Sequence, residues 1–466
     1  MEWEMVVGLE IHAELNTETK AFCACKNTFG EEPNTHVCPT CLGMPGALPV
    51  LNKQAVIDTV LVGLSFGCNI NERSYFERKN YFYPDLAKGY QITQLNSPIC
   101  VGGGIHLSNG RFIRFNRIQL EEDAGKLIHN DETKVDFNRC GVPLIEMVTE
   151  PDLRSVSEVN EFLNILKQTL MYTGVCNCRM ERGELRFDVN LSVREKGASE
   201  YGARVEMKNL NSFRNVGLAV TYEFNRQTNI LEAGKIVDSE TRGWNDALGE
   251  TFTMRTKEDV SDYRYFRDPD LPDIIIKPAD IESIRRLLPE PISAKLTRYS
   301  AIGLEDSVCK QIASDKYIAE FFDAVLKYYY EPREVANWIL KDVLKIYDGS
   351  IDLTSIITPE NLASIIRMVA EGRLTRANGR VLFEEVVDTH EEPEKLIKKL
   401  GIAGLVEESE IVAALSELMK LAPNVVTDYK SNPDKVINYA IGYVMQKTRG
   451  RAKADKIKEI IEEVFV

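Results

Sequence analysis

The sequence lacks any apolar run long enough to span a lipid bilayer. A transmembrane helix needs about 20 consecutive apolar residues, and the apolar runs in these 466 residues are far shorter. The first residues also lack the basic segment and apolar stretch of a secretory signal peptide, because Glu2 and Glu4 flank Trp3. These absences predict a soluble cytoplasmic protein, and the 44% hydrophobic and 27% charged residues agree with a globular chain.

Basic residues are in deficit. The net charge of −14 argues against a protein that coats nucleic acid non-specifically, although a local basic stripe could still bind a polyanion. The sequence contains neither a Walker-type Gly-x-x-x-x-Gly-Lys loop nor the His-Arg-Asp motif of protein kinases. Neither of those two classes of nucleotide-binding protein is therefore indicated.

Cysteines are too few for a disulfide framework, at ten in so long a chain. Four of them form two close pairs, in the spacing that a tetrahedral zinc site requires. We therefore predict a structural zinc, since four sulfur ligands leave no open position for catalysis. The alternative is four free thiols in a loosely packed loop. The predicted ligands are Cys23, Cys25, Cys38 and Cys41.

Hydrophobic periodicity divides the chain into an α+β part and a helical remainder. Before residue 290, short alternating runs and turn signals predict a mainly antiparallel sheet, with packing helices that begin after Asn52 and Ser155. The prolines of Leu288-Pro289-Glu290-Pro291 mark a linker. Helical patterns follow, with a break near Gly401. The predicted domains are 1–290, a helical domain 291–400 and a small helical tail 401–466.

Acidic residues and one histidine are spaced as on the polar face of a sheet. In residues 7–15 apolar side chains alternate with polar ones that include Glu10 and His12. Further carboxylates come from Glu121-Glu122-Asp123 and from the apolar segment with Glu146 and Glu150, where an unpaired glutamate is costly. Three carboxylates and an imidazole would suit Mg²⁺ together with substrate phosphates. The alternative is a solvated sheet edge.

Charged groups elsewhere suit contact with phosphates. Lys79 lies in a run that interleaves basic and aromatic residues, which favours phosphate contact and base stacking or, alternatively, a plain strand. Alternation on a predicted hairpin brings Asp188, Glu206 and Lys208 onto one surface.

A basic stripe also occurs in the tail. Its cations alternate with small residues and are interpreted either as contacts to a phosphate backbone or as a solvated loop between helices. These cations include Arg449, Arg451 and Lys453.

Seven segments together resemble one family over essentially the whole chain. That family is the B subunit of the bacterial and archaeal aspartyl/glutamyl-tRNA amidotransferase. One such match could arise by chance, whereas seven in order could not. The segments are 7–15 (Val-Gly-Leu-Glu-Ile-His-Ala-Glu-Leu), 45–52 (Pro-Gly-Ala-Leu-Pro-Val-Leu-Asn), 78–85 (Arg-Lys-Asn-Tyr-Phe-Tyr-Pro-Asp), 120–126 (Leu-Glu-Glu-Asp-Ala-Gly-Lys), 143–146 (Pro-Leu-Ile-Glu), 208–213 (Lys-Asn-Leu-Asn-Ser-Phe) and 262–266 (Asp-Tyr-Arg-Tyr-Phe).

The resemblance implies an N-terminal cradle domain, a helical domain and a helical tail. It implies a ligase that uses ATP and Mg²⁺ to phosphorylate the side-chain carboxylate of glutamate or aspartate wrongly attached to tRNA-Gln or tRNA-Asn. Ammonia then displaces the phosphate and leaves the amide. The implied partners are an amidase (glutaminase) subunit, which releases ammonia from glutamine, and a small third subunit that ties the complex together.

The resemblance also implies roles for individual residues. The catalytic positions are Glu10, His12, Glu122, Glu146 and Glu150, of which His12, Glu122 and Glu146 hold Mg²⁺. The positions that serve ATP or the charged 3′ end of the tRNA are Lys79, Asp188, Glu206 and Lys208.

Two alternatives come from other functional classes. In the first, the chain is a non-catalytic tRNA-binding scaffold, and Glu146→Gln leaves ATP cleavage unaffected. In the second, the chain is a Mg²⁺-dependent hydrolase that acts on a phosphoester without any amidase partner or mischarged tRNA.

Overall fold

The computed structural model describes residues 2–129, 131–256, 262–347, 352–402, 406–426, 429 and 432–465. It divides into two compact units, Met1–Glu290 and Pro291–Val466. The first unit is a mixed sheet with packing helices and the second is helical, which confirms the predicted α+β class. The further division of the second unit near residue 400 stays a prediction. No helix in the described ranges combines the length and apolar character needed to cross a membrane.

The first unit contains seventeen strands within the described residues. They are β1 (Trp3–Glu14), β2 (Asn69–Ile70), β3 (Arg73–Ser74), β4 (Glu77–Asn80), β5 (Tyr90–Thr93), β6 (Cys100–Val101), β7 (Gly104–His106), β8 (Phe112–Glu122), β9 (Lys126–His129), β10 (Thr133–Asp136), β11 (Pro143–Thr149), β12 (Leu185–Glu195), β13 (Val205–Leu210), β14 (Glu240–Asn245), β15 (Glu250–Thr256), β16 (Phe266–Arg267) and β17 (Ile274–Ile275). Its helices are α1 (Lys53–Ser65), α2 (Val156–Thr173), α3 (Phe213–Glu232) and α4 (Pro278–Arg285).

A ten-stranded sheet organises this unit. Its order is β15-β14-β13-β12-β1-β11-β8-β6-β2, and β7 pairs with β8 away from this path. All pairs are antiparallel except β13 with β14, which is parallel. The strand β1 is therefore central, with β11 on one side and β12 on the other.

The core lies on one face of this sheet. Leu9 and Ile11 of β1 are buried there together with Val60 of α1, Leu166 of α2 and Val216 of α3. Alternation then directs the residues between them to the opposite face. Side-chain caps start α1, α2 and α3. The predicted caps Asn52 and Ser155, and also Ser212, each accept a hydrogen bond from a backbone N–H of the first turn.

The second unit consists of short amphipathic helices. They are α5 (Ile292–Ala301), α6 (Asp306–Ala313), α7 (Lys316–Tyr328), α8 (Pro332–Lys341), α9 (Pro359–Ala370), α10 (Arg376–Thr389), α11 (Pro393–Leu400), α12 (Glu408–Leu421), α13 (Pro433–Lys447) and α14 (Ala454–Val464). The last three share a core of their own around Leu415, Val444 and Ile461.

Candidate functional site

The polar face of β1 carries the candidate site. Pairing places Glu10 opposite Val148 of β11 and Asp188 of β12, and it places His12 opposite Glu146 and Arg186. Residues directly opposite in antiparallel strands share a face of the sheet. Long-range pairing therefore collects charged groups from three strands into one patch.

Three carboxylates surround one imidazole in this patch. The Nε2 atom of His12 lies 3.6 Å from a carboxylate oxygen of each of Glu10, Glu121 and Glu146. The side chains of Glu121 and Glu146 are only 3% and 9% exposed, so water screens these charges poorly. We call these four residues the acid–histidine cluster.

The cluster perturbs the protonation of its own members. Burial disfavours the imidazolium, but the hydrogen bond to Glu146 and the nearby charge of Glu121 raise the pKa of His12 to about 9. Burial and repulsion by Glu146 raise the pKa of Glu121 to about 7, and the same two causes raise the pKa of Glu10. Burial alone would raise the pKa of Glu146. The hydrogen bond and the charge of His12 outweigh this effect and lower that pKa. One imidazolium thus faces three acids, and two of these acids have raised pKa values.

Three members of the cluster could hold a metal ion. One ligand atom from each of Glu10, His12 and Glu146 lies within 4.8 Å of the other two. Carboxylate oxygens are the ligands that Mg²⁺ prefers, and few protein ligands leave positions for phosphate oxygens. The donor set suits a magnesium ion with Glu10 in place of the predicted ligand Glu122, and His12 would bind in its neutral form.

Cations border the acid–histidine cluster. Burial works against the ammonium of Lys79, but the charges of Glu121 and Glu146 raise its pKa, and Nζ lies 4.9 Å from the ring centre of Tyr263. Arg117 places a guanidinium nitrogen 3.4 Å from Glu146. These groups keep a positive charge beside the acids, as contact with phosphate requires.

The predicted hairpin surface lies next to Glu10. Strands β12 and β13 pair, and Lys208 Nζ lies 2.6 Å from Asp188 Oδ2 and 3.1 Å from Glu206 Oε1. Burial disfavours the ammonium of Lys208, but these two carboxylates raise its pKa. Thr241 of β14 donates a hydrogen bond to Glu206 and so anchors this group from the neighbouring strand.

The structure does not bring Glu122 or Glu150 to the cluster. The carboxylate of Glu122 pairs with Lys88 and accepts a hydrogen bond from the backbone N–H of Ile92. Glu150 accepts a hydrogen bond from Asn116 at the far end of β11.

Sequence reasoning named Glu121 only within the run Glu121-Glu122-Asp123 and assigned the role to Glu122, and it missed Arg117 and Lys88. A signal for Glu121 existed, because period-two alternation from buried Leu120 puts Glu122 on the apolar side and Glu121 on the polar side.

The ends of β1 and β8 also bring Glu14 close to Asp123. Burial and the charge of Asp123 raise the pKa of Glu14 to about 8, while Arg186 forms an ion pair with Asp123. This second pair of acids lies on the same sheet as the acid–histidine cluster, and its arginine partner compensates part of its charge.

The four predicted cysteines form a cluster of their own. Their sulfur atoms all lie within 4.8 Å of one another, and those of Cys38 and Cys41 are 3.8 Å apart. Two sulfurs on a tetrahedral zinc with bonds of about 2.3 Å are separated by about 3.8 Å. The ammonium of fully buried Lys20 lies 3.9 Å from the sulfur of Cys41. A buried cation beside these sulfurs fits an anionic thiolate–metal centre, so the four residues could hold a structural metal.

The basic residues of the tail lie around the turn between α13 and α14. Arg449 is exposed and has a positive φ of 52°, and Lys453 is exposed just before α14. The guanidinium of Arg451 already has partners within the chain, because it donates a hydrogen bond to the carbonyl of Thr448 and lies 3.5 Å from a carboxylate oxygen of Glu410.

The chain thus combines a large mixed sheet that carries a buried acid–histidine cluster with a second, helical unit. Family comparison agrees. Residues 5–282 match the model described as the GatB/GatE catalytic domain, and residues 320–465 match the GatB domain.

The chain belongs to the family of the B subunit of the aspartyl/glutamyl-tRNA(Asn/Gln) amidotransferase. Curated relatives with that name are 46% identical in Caldicellulosiruptor saccharolyticus and 43% identical in Thermoanaerobacter pseudethanolicus, and each match covers 99% of both chains. A relative from Persephonella marina is 42% identical over the full length of both chains. The predicted family is therefore confirmed, and it supports a role in the amidation of aminoacyl-tRNA.

The geometry of the acid–histidine cluster predicts which acid a divalent ion needs. Titration of the full chain with Mn²⁺, followed by electron paramagnetic resonance, should show that Glu146→Gln weakens binding by about a hundredfold, since one charged ligand is lost. The control Glu150→Gln should bind Mn²⁺ like the unmodified chain. Unchanged Mn²⁺ binding in Glu146→Gln would place the metal outside the cluster.

The cysteine cluster predicts about one zinc per chain by elemental analysis, as one tetrahedral site requires. Cys38→Ser should lose this metal and unfold at a temperature several degrees lower, because metal-binding free energy contributes to folding. Cys309→Ala, which changes a buried thiol of the second unit, should keep its zinc. Full zinc content in Cys38→Ser would contradict the assignment.

Proposed function

We propose that this chain activates the side-chain carboxylate of a glutamate or aspartate attached to the wrong tRNA, and converts it to the amide. The acid–histidine cluster with Lys79 beside it carries this proposal, because it offers a cation site and a phosphate contact on one face of the sheet. The name of the relatives, which are parts of an aspartyl/glutamyl-tRNA amidotransferase, supports the same reaction class.

The chemistry requires activation because a carboxylate is a poor acyl donor. Transfer of the terminal phosphoryl group of ATP to the carboxylate oxygen forms an acyl phosphate and releases ADP. Attack by ammonia on the acyl carbon then releases phosphate, and the ammonium proton that remains is lost to solvent or to a base. When bound by Glu10, His12 and Glu146, Mg²⁺ would neutralise charge on the phosphates.

The residues of the chain have separable tasks in this scheme. Lys79 contacts phosphate oxygens with an ammonium that its neighbours keep protonated. Arg117 limits the negative charge on Glu146, while Glu121 orients His12 across their 3.6 Å contact. The Asp188–Lys208–Glu206 group binds polar parts of ATP or of the charged 3′ end from the neighbouring strand pair.

The proposed reaction consumes ammonia, so the chain needs a partner that supplies it. Ammonia is proposed to come from glutamine through an amidase partner, and a small third subunit is proposed to complete the complex. The relatives are named as one subunit of a larger enzyme, which supports assembly with other chains. Zinc in the cysteine cluster is proposed to have a structural role only.

The decisive measurement is ADP formation by the full complex with Mg²⁺, ammonia and glutamyl-tRNA-Gln, together with analysis of the amino acid on the tRNA. ADP should form only with mischarged tRNA, and glutaminyl-tRNA should appear. Glu146→Gln should abolish both products, whereas Glu161→Gln, a change in an acid of α2 that binds Ser108, should leave them unchanged. Binding of tRNA without ADP would favour the scaffold hypothesis instead.

We also propose that three basic residues of the tail, Arg449, Arg451 and Lys453, contact the phosphate backbone of tRNA. Replacing Arg449 and Arg451 by alanine should weaken tRNA binding and reduce the slope of log K against log salt by about one to two, since fewer counterions are released. A control that replaces Arg73 and Lys196, two exposed cations of the first unit, should keep the slope. An unchanged slope in the tail variant would refute this contact.

A further inference from the structure

A row of hydrogen bonds behind the acid–histidine cluster connects two of its acids. The guanidinium of Arg117 donates to the side-chain oxygen of Gln119 over 2.8 Å, and the amide nitrogen of Gln119 donates to the hydroxyl of Thr93 over 3.0 Å. Thr93 in turn donates to Glu121 over 3.0 Å. Arg117 also lies 3.4 Å from Glu146, so the row begins beside one acid and ends on another. We call Arg117, Gln119 and Thr93 the polar relay.

The polar relay and His12 divide the oxygens of the two acids between them. Glu121 faces His12 with Oε1 and accepts from Thr93 with Oε2. Glu146 faces His12 with Oε2 and Arg117 with Oε1. Each carboxylate is therefore held at both oxygens, which fixes its rotation. The contacts close into a ring of six side chains: His12, Glu121, Thr93, Gln119, Arg117 and Glu146.

The arginine gives the relay a single direction. A guanidinium has donors but no acceptor, so Gln119 must turn its oxygen to Arg117 and its nitrogen to Thr93. The hydroxyl of Thr93 accepts this bond, and its one proton is then directed to Glu121. The side chains of Thr93 and Gln119 belong to residues only 2% and 3% exposed, so water is poorly placed to replace these bonds.

The fold builds the relay where two sheets meet. Thr93 ends β5, which belongs to the small sheet β16-β4-β5, whereas the other two members lie on β8 of the large sheet. The side chain of Gln94 accepts a hydrogen bond from the backbone N–H of Leu120 and so holds the end of β5 against β8. Lys79 lies on β4 of the same small sheet. One element therefore positions both the cation beside the cluster and the end of the relay.

We propose that Thr93 and Gln119 are positioning residues of the metal site. Through Glu121, Thr93 fixes the imidazole of His12. Gln119 holds Arg117 by the shorter of its two contacts, 2.8 Å against 3.4 Å, and so keeps this cation from neutralising Glu146 fully. Both effects leave the ligand atoms available to a divalent ion. The inference rests on the function proposed above, which requires that ion.

The test is a titration of the full chain with Mn²⁺, followed by electron paramagnetic resonance, without ATP or tRNA. Thr93→Val removes the hydroxyl donor and keeps the shape of the side chain, and Thr93→Ser restores the donor. Gln119→Met breaks the relay at a second position. The matched control is Thr59→Val, since Thr59 is a fully buried threonine whose hydroxyl donates to a carbonyl within α1, outside the relay.

Thr93→Val and Gln119→Met should each weaken Mn²⁺ binding by about tenfold or more, as is typical for residues that orient metal ligands. Thr93→Ser should bind close to wild type. The double variant should lose little more than the weaker-binding single variant, because both changes interrupt one row of bonds. Thr59→Val should lower the unfolding temperature, since it also loses a buried hydroxyl, but it should keep wild-type Mn²⁺ affinity.

Wild-type Mn²⁺ affinity in both Thr93→Val and Gln119→Met would refute the role of the relay and leave the proposed metal site intact. An equal loss of affinity in Thr59→Val would show that general destabilisation weakens the ion, and would also refute it. If the wild-type chain binds no Mn²⁺, the metal site of the proposed function falls instead, and the positioning role falls with it.

Discussion

The pairing of β1 with a strand on each side is the constraint on which the rest of the site depends. It places His12 opposite Glu146, and it leaves Glu121 of the next strand within 3.6 Å of the same imidazole. Burying several carboxylates is unfavourable unless cations compensate them. The fold offsets this cost with a charged histidine and with the neighbouring cations Lys79 and Arg117, and a bound divalent ion would take the place of the proton on His12.

A chain of contacts links the loop that carries the four cysteines, which we call the cysteine loop, to the acid–histidine cluster. Gly43 lies against Lys88, where a Cβ would come within 2.9 Å of the lysine Cα. Lys88 pairs with Glu122, whose neighbour Glu121 contacts His12. A metal that rigidifies the cysteine loop would thereby also support the end of β8. This connection would let a structural metal support the acid–histidine cluster without any open coordination position.

Within the second unit, hydrogen bonds attach the basic turn between α13 and α14 to a neighbouring helix. Thr375, the cap of α10, donates to the carbonyl of Gly450, and Asn378 donates to the carbonyl of Arg449. These bonds hold the turn in one conformation, so a contact with a phosphate backbone would involve less loss of conformational freedom. The sheet unit therefore carries the proposed chemistry, and the helical unit carries the proposed polyanion contact.

The sequence by itself determined the α+β class, the polar face of β1 and the paired cysteines, because alternation, caps and short ligand spacings are local properties. It led to Glu122 rather than Glu121, and it did not reveal Lys88. Those features depend on register, and a shift of one residue moves every side chain to the other face. The register of β1 is set by pairing with segments more than a hundred residues away, so only the tertiary structure could show that Glu10, His12 and Glu146 meet.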